Sequence, residues 1–320
     1  MAVYTHVSAE ALSEFLTRYD VGELVSAKGI AEGVENSNYL VDTTEGRFFL
    51  TLYEKRVDAS DLPYFMALLD HLDAKGLPVP PAIKDRNGVE IQELEGRPAC
   101  LIKFLPGVSL SHPTPAQARA AGAALGAMHA GLEDFIPVRP NSLGVDSWRP
   151  LLERCGTDLD RIDAGLYRHL TTTLDEVLDA WPRDSRHSAR AIHADLFPDN
   201  VLMQGDKVTG LIDFYFACSD LPLYDLAVMH TAWTFNIGDQ HQQEVAEALL
   251  DGFFGEQTHY QADDLFALPT LAMGACIRFA LTRAWDWLNT PPDALVTRKD
   301  PMAYVRRLDF YRSAGLDPFT

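Results

Sequence analysis

The chain has 320 residues, 47% of them hydrophobic and 23% charged, which suits one large globular domain or two lobes and excludes a disordered protein. Its net charge of -19 excludes partners gripped through a basic face, so neither nucleic acid nor a membrane surface is expected. The cysteines, Cys100, Cys155, Cys218 and Cys276, form no CxxC pair and read as reduced core thiols. With no signal-peptide pattern and no apolar run of about eighteen residues, a soluble cytoplasmic protein is expected.

Ser8 caps a predicted helix whose apolar positions Leu12, Phe15, Leu16 and Tyr19 share one face. Strands follow at 24–30, 36–43 and 47–53, the last two joined by a turn at Glu45-Gly46. A helix over 61–75 ends at Gly76, and Leu77-Pro78-Val79-Pro80-Pro81 forces extended backbone. Two more strands are predicted at 89–93 and 98–104 around Glu95-Gly96. Phe104-Leu105-Pro106-Gly107 reads as a connector. Thr114-Pro115-Ala116-Gln117 is a capping box that opens an Ala-rich helix to Ala130. Further helices are predicted at 147–154, 158–181, 222–236, 240–254, 262–287 and 300–313. They are interrupted by a hairpin, 200–203 and 208–214, turning at Gly205-Asp206. The pattern predicts an α+β, two-lobed fold: an antiparallel-sheet lobe over 1–103, a hinge at 104–107, and a mainly helical lobe over 108–320.

The chemistry concentrates in Ile192-His193-Ala194-Asp195-Leu196-Phe197-Pro198-Asp199-Asn200 and Leu211-Ile212-Asp213-Phe214. An Asp stands five residues before an Asn, and a second Asp thirteen residues beyond it. Phosphoryl transfer from ATP uses those groups: a carboxylate beside the acceptor hydroxyl, and an Asn and an Asp as hard oxygen ligands for Mg²⁺. Asp195 is therefore the candidate catalytic carboxylate, Asn200 and Asp213 are the candidate metal ligands, and His193 is expected to bond the loop backbone. The protein-kinase catalytic loop, His-Arg-Asp-x-x-x-x-Asn followed by Asp-Phe-Gly, has these roles in this order, with Ala194 here in place of the Arg and Tyr215 in place of the Gly.

Glycines in Gly29-Ile30-Ala31-Glu32-Gly33-Val34-Glu35-Asn36-Ser37 could admit phosphates close to backbone N–H groups, which makes Gly29, Gly33, Asn36 and Ser37 candidate ATP contacts. Phe104 and Leu105 at the hinge are candidates for the adenine side. The third strand carries Thr51 where a nucleotide kinase usually has Lys; Lys55, Arg56 or Lys103 could supply that charge. Arg278 and Arg283, five apart on one helix, suit a carboxylate or phosphate, or else interhelical salt bridges. Asp225 reads as a structural partner of the catalytic loop. His129, His230 and Trp233 read as packing residues.

These motifs resemble the aminoglycoside phosphotransferase and choline kinase superfamily: His-x-Asp-Leu-x-x-x-Asn at 193–200, Ile212-Asp213-Phe214 and Tyr224-Asp225-Leu226-Ala227. Within it, Gly29-Ile30-Ala31-Glu32-Gly33-Val34-Glu35-Asn36, Leu50-Thr51-Leu52-Tyr53-Glu54-Lys55 and Ile212-Asp213-Phe214-Tyr215 resemble bacterial homoserine kinases of the kinase-like type. The resemblance spans nearly the whole chain and implies a protein-kinase-like fold with ATP and Mg²⁺. It implies L-homoserine as acceptor, giving O-phospho-L-homoserine on the route to threonine. It also implies that Thr is tolerated at position 51. Arg278, Arg283 and Tyr215 become candidate substrate contacts, the arginines for the carboxylate, and Lys55 a candidate ATP contact. Rival expectations are a kinase of the same fold acting on choline, ethanolamine, an aminoglycoside or a sugar amine, and a nucleotide-binding regulator without turnover.

Overall fold

The computed structural model describes residues 4–30, 36–54, 58–182, 189–257, 260, 262–290 and 298–320. The chain divides into two compact units: Met1–Gly107 with Thr209–Tyr215, and Val108–Val208 with Phe216–Thr320. The break after Gly107 is followed by a return of the chain to the first unit near residue 209, which a linear division into lobes leaves out.

In the first unit, α1 (Ala9–Leu16) precedes β1 (Leu24–Ile30), β2 (Ser37–Thr43) and β3 (Arg47–Leu52). Then come α2 (Leu62–Ala74), β4 (Gln92–Leu94) and β5 (Arg97–Lys103). The strands form one antiparallel sheet in the order β1-β2-β3-β5-β4. Alternation sends Tyr39, Val41, Leu50, Leu52 and Leu101 to one face, where they pack with Leu12, Phe15 and Leu16 of α1. Ser8 caps α1 by accepting from the Ala11 N–H at 3.1 Å. The helix stops at Leu16, because Thr17, Arg18 and Tyr19 bond three residues back in tighter turns, yet Tyr19 remains buried. The strand expected at 89–93 starts only at Gln92: the Asp85 carboxylate accepts the N–H groups of Asn87 and Val89, each at 2.8 Å, and folds that backbone into a turn.

The second unit contains α3 (Pro115–Gly131), α4 (Val145–Cys155), α5 (Leu166–Ala180) and β6 (Arg190–Ile192). Next along the chain are β7 (Val201–Gln204) and β8 (Lys207–Leu211), a two-stranded sheet whose second strand runs on into the segment grouped with the first unit, and then β9 (Cys218–Asp220). The remaining helices are α6 (Pro222–Trp233), α7 (Gln243–Glu256), α8 (Ala262–Leu265), α9 (Leu268–Asn289) and α10 (Met302–Ala314). The capping box at α3 is present, with Thr114 and Gln117 bonding each other's backbone. The helix expected over 158–181 is a 3-10 turn, Gly156–Arg161, followed by α5, because Gly165 takes φ +85 and breaks the run. The helix expected over 262–287 is likewise split, and Pro269, which has no N–H to donate, falls in the first turn of α9. β6 and β9 pair antiparallel over three residues each, too short for a period to mark them in sequence. α9 is buried around most of its girth, through Leu271, Ala275, Ile277, Ala280 and Leu281 among others, and forms the axis of this unit. All four cysteines are free and buried. Among the described residues no helix is long and apolar enough to cross a membrane.

Candidate active site

The loop that follows β6 bears the candidates His193, Asp195 and Asn200, and helices hold it. The backbone N–H groups of His193 and Ala194 donate to the two oxygens of Asp225, at 2.9 and 2.7 Å. Asp225 sits in the first turn of α6, fully buried, with His129 Nε2 at 3.0 Å on its other side. Burial works to raise the Asp225 pKa, but His129 and the loop N–H groups outweigh it and hold the carboxyl below its ordinary value. Asp225 and His129 thus take structural parts. His193 bonds the loop as expected, its Nδ1 accepting the Asp195 N–H at 3.2 Å. Trp233, also on α6, donates its indole N–H to the Leu196 carbonyl at 2.9 Å.

Ala194 takes φ +63, the left-handed region that a side chain disfavours. Its carbonyl accepts from Nη1 of Arg278 on α9. Nη2 of the same guanidinium lies 3.8 Å from Oδ1 of Asp195. Burial raises the Asp195 pKa, opposed by Arg278, His193 and Lys299. Asn200 donates its amide N–H to the Asp195 carbonyl at 2.8 Å, with Asp195 Oδ2 at 3.5 Å. That contact fixes the amide so that its Oδ1 oxygen is left for another partner. The structure therefore brings Asp195, His193, Asn200 and Arg278 together in one loop environment.

Arg278 does not occupy the open position expected of a carboxylate contact: it is 2% exposed and its terminal nitrogens face the loop. Arg283 lies one turn further along α9, where burial lowers its pKa. Its guanidinium rests 4.5 Å from the Tyr304 ring centroid and donates to the Asp300 carbonyl at 3.3 Å. Lys299, which sequence reasoning missed, stands over the Phe197 ring at 5.8 Å and acts on Asp195 electrostatically. Arg298-Lys299-Asp300 has no periodicity or motif that would have singled it out.

The first unit holds the remaining candidates. Gly29 lies in β1 opposite Tyr39; Gly33, Lys55 and Arg56 lie outside the described residues. The Ser37 hydroxyl is fully buried, accepts from the N–H groups of Tyr4 and Thr5, and donates to Glu54 at 2.7 Å, which leaves it an internal link. Asn36 is also buried, its Oδ1 accepting the Glu54 N–H at 3.3 Å, which makes it another link of the same internal network. Thr51 donates to Asn38 Oδ1 at 2.8 Å, on the sheet face opposite the α1 core. Lys103 is paired with Asp73 at 3.2 Å. Phe104 stacks on Phe49 at 5.6 Å with the Arg47 guanidinium 5.5 Å from its ring, and Leu105 is buried.

Asp213 follows β8 by two residues and takes φ +65, which ends the strand earlier than the sequence pattern predicts. Tyr215 sits edge-on to Tyr53 and Phe65, its hydroxyl 3.3 Å from that of Tyr53, and burial pushes its phenol pKa up. A small cavity beside these rings is lined by Met66, Leu69 and Asp213 as well.

A sequence profile of the phosphotransferase enzyme family matches residues 26–265. The chain is 50% identical to the homoserine kinase of Zymomonas mobilis subsp. mobilis over 319 residues, 99% of each protein. It is also 50% identical to the homoserine kinase of Acidiphilium cryptum over 315 residues, 98% of each. Among solved structures, an amicoumacin kinase in complex with AMP-PNP, Ca²⁺ and Ami superposes with a TM-score of 0.70 at 15% identity, over 98% of this chain and 96% of that one. A spectinomycin phosphotransferase in complex with ADP and spectinomycin gives 0.68 at 13% identity, over 98% of both. At these identities the structural likeness is one of fold: α+β and kinase-like.

Proposed function

Because the chain belongs to the phosphotransferase enzyme family, we propose that it transfers the γ-phosphate of ATP to the side-chain hydroxyl of L-homoserine, giving O-phospho-L-homoserine and ADP on the route to threonine. The observation that carries the acceptor is the 50% identity to homoserine kinases over nearly the full length of both proteins. The chemistry rests on the Asp195 loop. Asp195 orients the acceptor hydroxyl and takes its proton late, when the bond to the departing phosphate has largely broken. The burial that raises its pKa also makes it a better proton acceptor than an exposed carboxylate.

Asn200 and Asp213 are each proposed as an oxygen ligand for Mg²⁺. Asn200 fits, since its amide N–H is bonded to Asp195 and its Oδ1 is not. Among the described residues no group of three or more His, Cys, Asp or Glu forms a dedicated metal cage. Mg²⁺ takes one or two protein oxygens and fills its shell with phosphates and water. When bound, the ion neutralises charge on the phosphates. For the nucleotide, the backbone at Gly29 and Gly33 and the hinge pair Phe104 and Leu105 are proposed contacts. Lys55, Arg56 and Lys103 remain the cations proposed for the missing strand lysine, Lys103 being paired with Asp73 at an exposed position.

Homoserine brings a carboxylate, and Arg283 is assigned to it together with Lys299, since Arg278 is turned inward to the loop. Tyr215 is proposed to border the acceptor. Mg²⁺-dependent ADP release with L-homoserine, choline, ethanolamine and kanamycin tests the reading. Turnover on homoserine far above the other three is expected. Turnover on another member would keep the kinase and replace the acceptor; silence with all four despite ATP binding would favour a regulator.

A further inference from the structure

The two peptides that flank Ala194 are gripped from two helices, one on each side of the residue. On one side Asp225 of α6 holds the Ala194 N–H at 2.7 Å. On the other, Arg278 of α9, 84 residues beyond Ala194 in the chain, holds the Ala194 carbonyl. Between them they maintain an alanine at φ +63, a conformation that a residue with a Cβ leaves when released. The Arg278 guanidinium is 2% exposed, flanked by the rings of Phe279 at 4.6 Å and Phe216 at 5.6 Å. Its Nε has no hydrogen-bond partner among the described residues. A buried cation that is only partly satisfied is a poor device for stability alone, since desolvation offsets what its contacts return. Its placement makes sense for what it holds: the carbonyl one peptide before the Asp195 side chain, with the carboxylate itself 3.8 Å away.

Where the protein-kinase loop has an arginine directly before the catalytic aspartate, this loop has Ala194, and the cation arrives from α9. We propose that Arg278 is a positioning residue: it locks the Ala194 carbonyl and so aims the Asp195 carboxylate, touching neither acceptor nor nucleotide. This rests on the kinase reading above but not on homoserine as the acceptor. The leverage comes from the positive φ at Ala194, because its relaxation swings the following backbone and the Asp195 side chain with it. Near-attack geometry is lost with shifts of about 1 Å.

Three variants test it: Arg278→Met, Arg278→Lys and Arg278→Ala, with nucleotide affinity by direct titration as the check on folding. Kinetics are compared on L-homoserine and on 3-aminopropan-1-ol, which keeps the amine and hydroxyl and lacks the carboxylate. For Arg278→Met, kcat should fall about 100-fold with KM for ATP and for each alcohol within about threefold, and by the same factor on both alcohols. Lysine, which can still donate to the carbonyl, should recover part of the loss, and guanidinium chloride at millimolar concentration should partly rescue Arg278→Ala. A rise in homoserine KM of tenfold or more at near-normal kcat, absent with the aminoalcohol, would show a substrate contact and overturn the proposal. So would an unchanged kcat per folded molecule alongside a lowered Tm. Should wild type turn over neither alcohol, the acceptor reading has failed, and intrinsic ATP hydrolysis by the same variants must show the same kcat loss for the proposal to stand.

Discussion

Asp195, the proposed proton acceptor, is half-buried, with a guanidinium at 3.8 Å and the Asn200 amide bound to its own carbonyl. Replacing it with Asn keeps the shape and removes the proton acceptor. Asp195→Asn should lower kcat at least ~100-fold while the Kd for ATP changes by less than about threefold, measured by nucleotide titration. Arg283 predicts a different split. Arg283→Ala should raise the homoserine KM about tenfold or more and leave the ATP KM nearly unchanged, since its proposed partner is the amino acid's carboxylate. Equal rises in both would place Arg283 in the fold rather than in the acceptor site. At this scale spacing singled out Asp195, Asn200 and Asp213 as candidates, and the structure ties Asn200 to Asp195 in one loop. The sequence was least informative where a role depends on conformation. Nothing in the letters Ala194 or Asp213 announces a positive φ, and Arg278 and Arg283 read alike although one faces the loop and the other packs over Tyr304.

Helices carry the site, and small residues set how closely some of them approach. A Cβ on Gly122 of α3 would meet the Leu249 carbonyl of α7 at 2.1 Å, and one on Gly252 of α7 would meet the Arg119 carbonyl at 2.0 Å. The contact is backbone on backbone, so a side chain there must push the helices apart. Gly122→Val should destabilise the protein by roughly 1–3 kcal/mol, read as a lower Tm and denaturation midpoint. A variant as stable as wild type would mean that the helices can separate without cost. Elements with a strong local signal were legible in advance: the Thr114 capping box, the Glu45-Gly46 hairpin, the Ser8 cap. Those set by tertiary context were not. β6 and β9 are three-residue strands that exist because each supplies the other's ladder, and the true strand start at Gln92 depends on the Asp85 carboxylate capturing the turn before it.

For the whole molecule, the buried His230 shapes the response to acid. His230 of α6 accepts from the Tyr311 hydroxyl at 2.6 Å and donates to the Pro318 carbonyl at 3.2 Å, which ties the last turn of the chain to the helix that bears Asp225. Burial, with His241 nearby, lowers its pKa to about 3. The unfolded chain takes up that proton near pH 6.5 and the folded one does not, so this contribution to stability is intact above pH 6.5 and is lost as pH falls from there toward 3. The effect amounts to a few kcal/mol at most, at about 1.4 kcal/mol per unit of pKa. Denaturation midpoints at pH 7 and pH 4.5 should therefore fall less in His230→Gln than in wild type, and parallel losses would remove His230 from the account.

Phosphoryl transfer to homoserine under the control of Asp195 is the central claim, and one product measurement reaches it most directly. Wild type and Asp195→Asn would be incubated with Mg²⁺, ATP and L-homoserine, and the products resolved by ³¹P NMR. A phosphomonoester identified as O-phospho-L-homoserine, formed in step with ADP by wild type and at least ~100-fold more slowly by the variant, is the predicted result. Phosphohomoserine formed equally fast by both would contradict the role of Asp195, and ADP without any phosphohomoserine would contradict the acceptor.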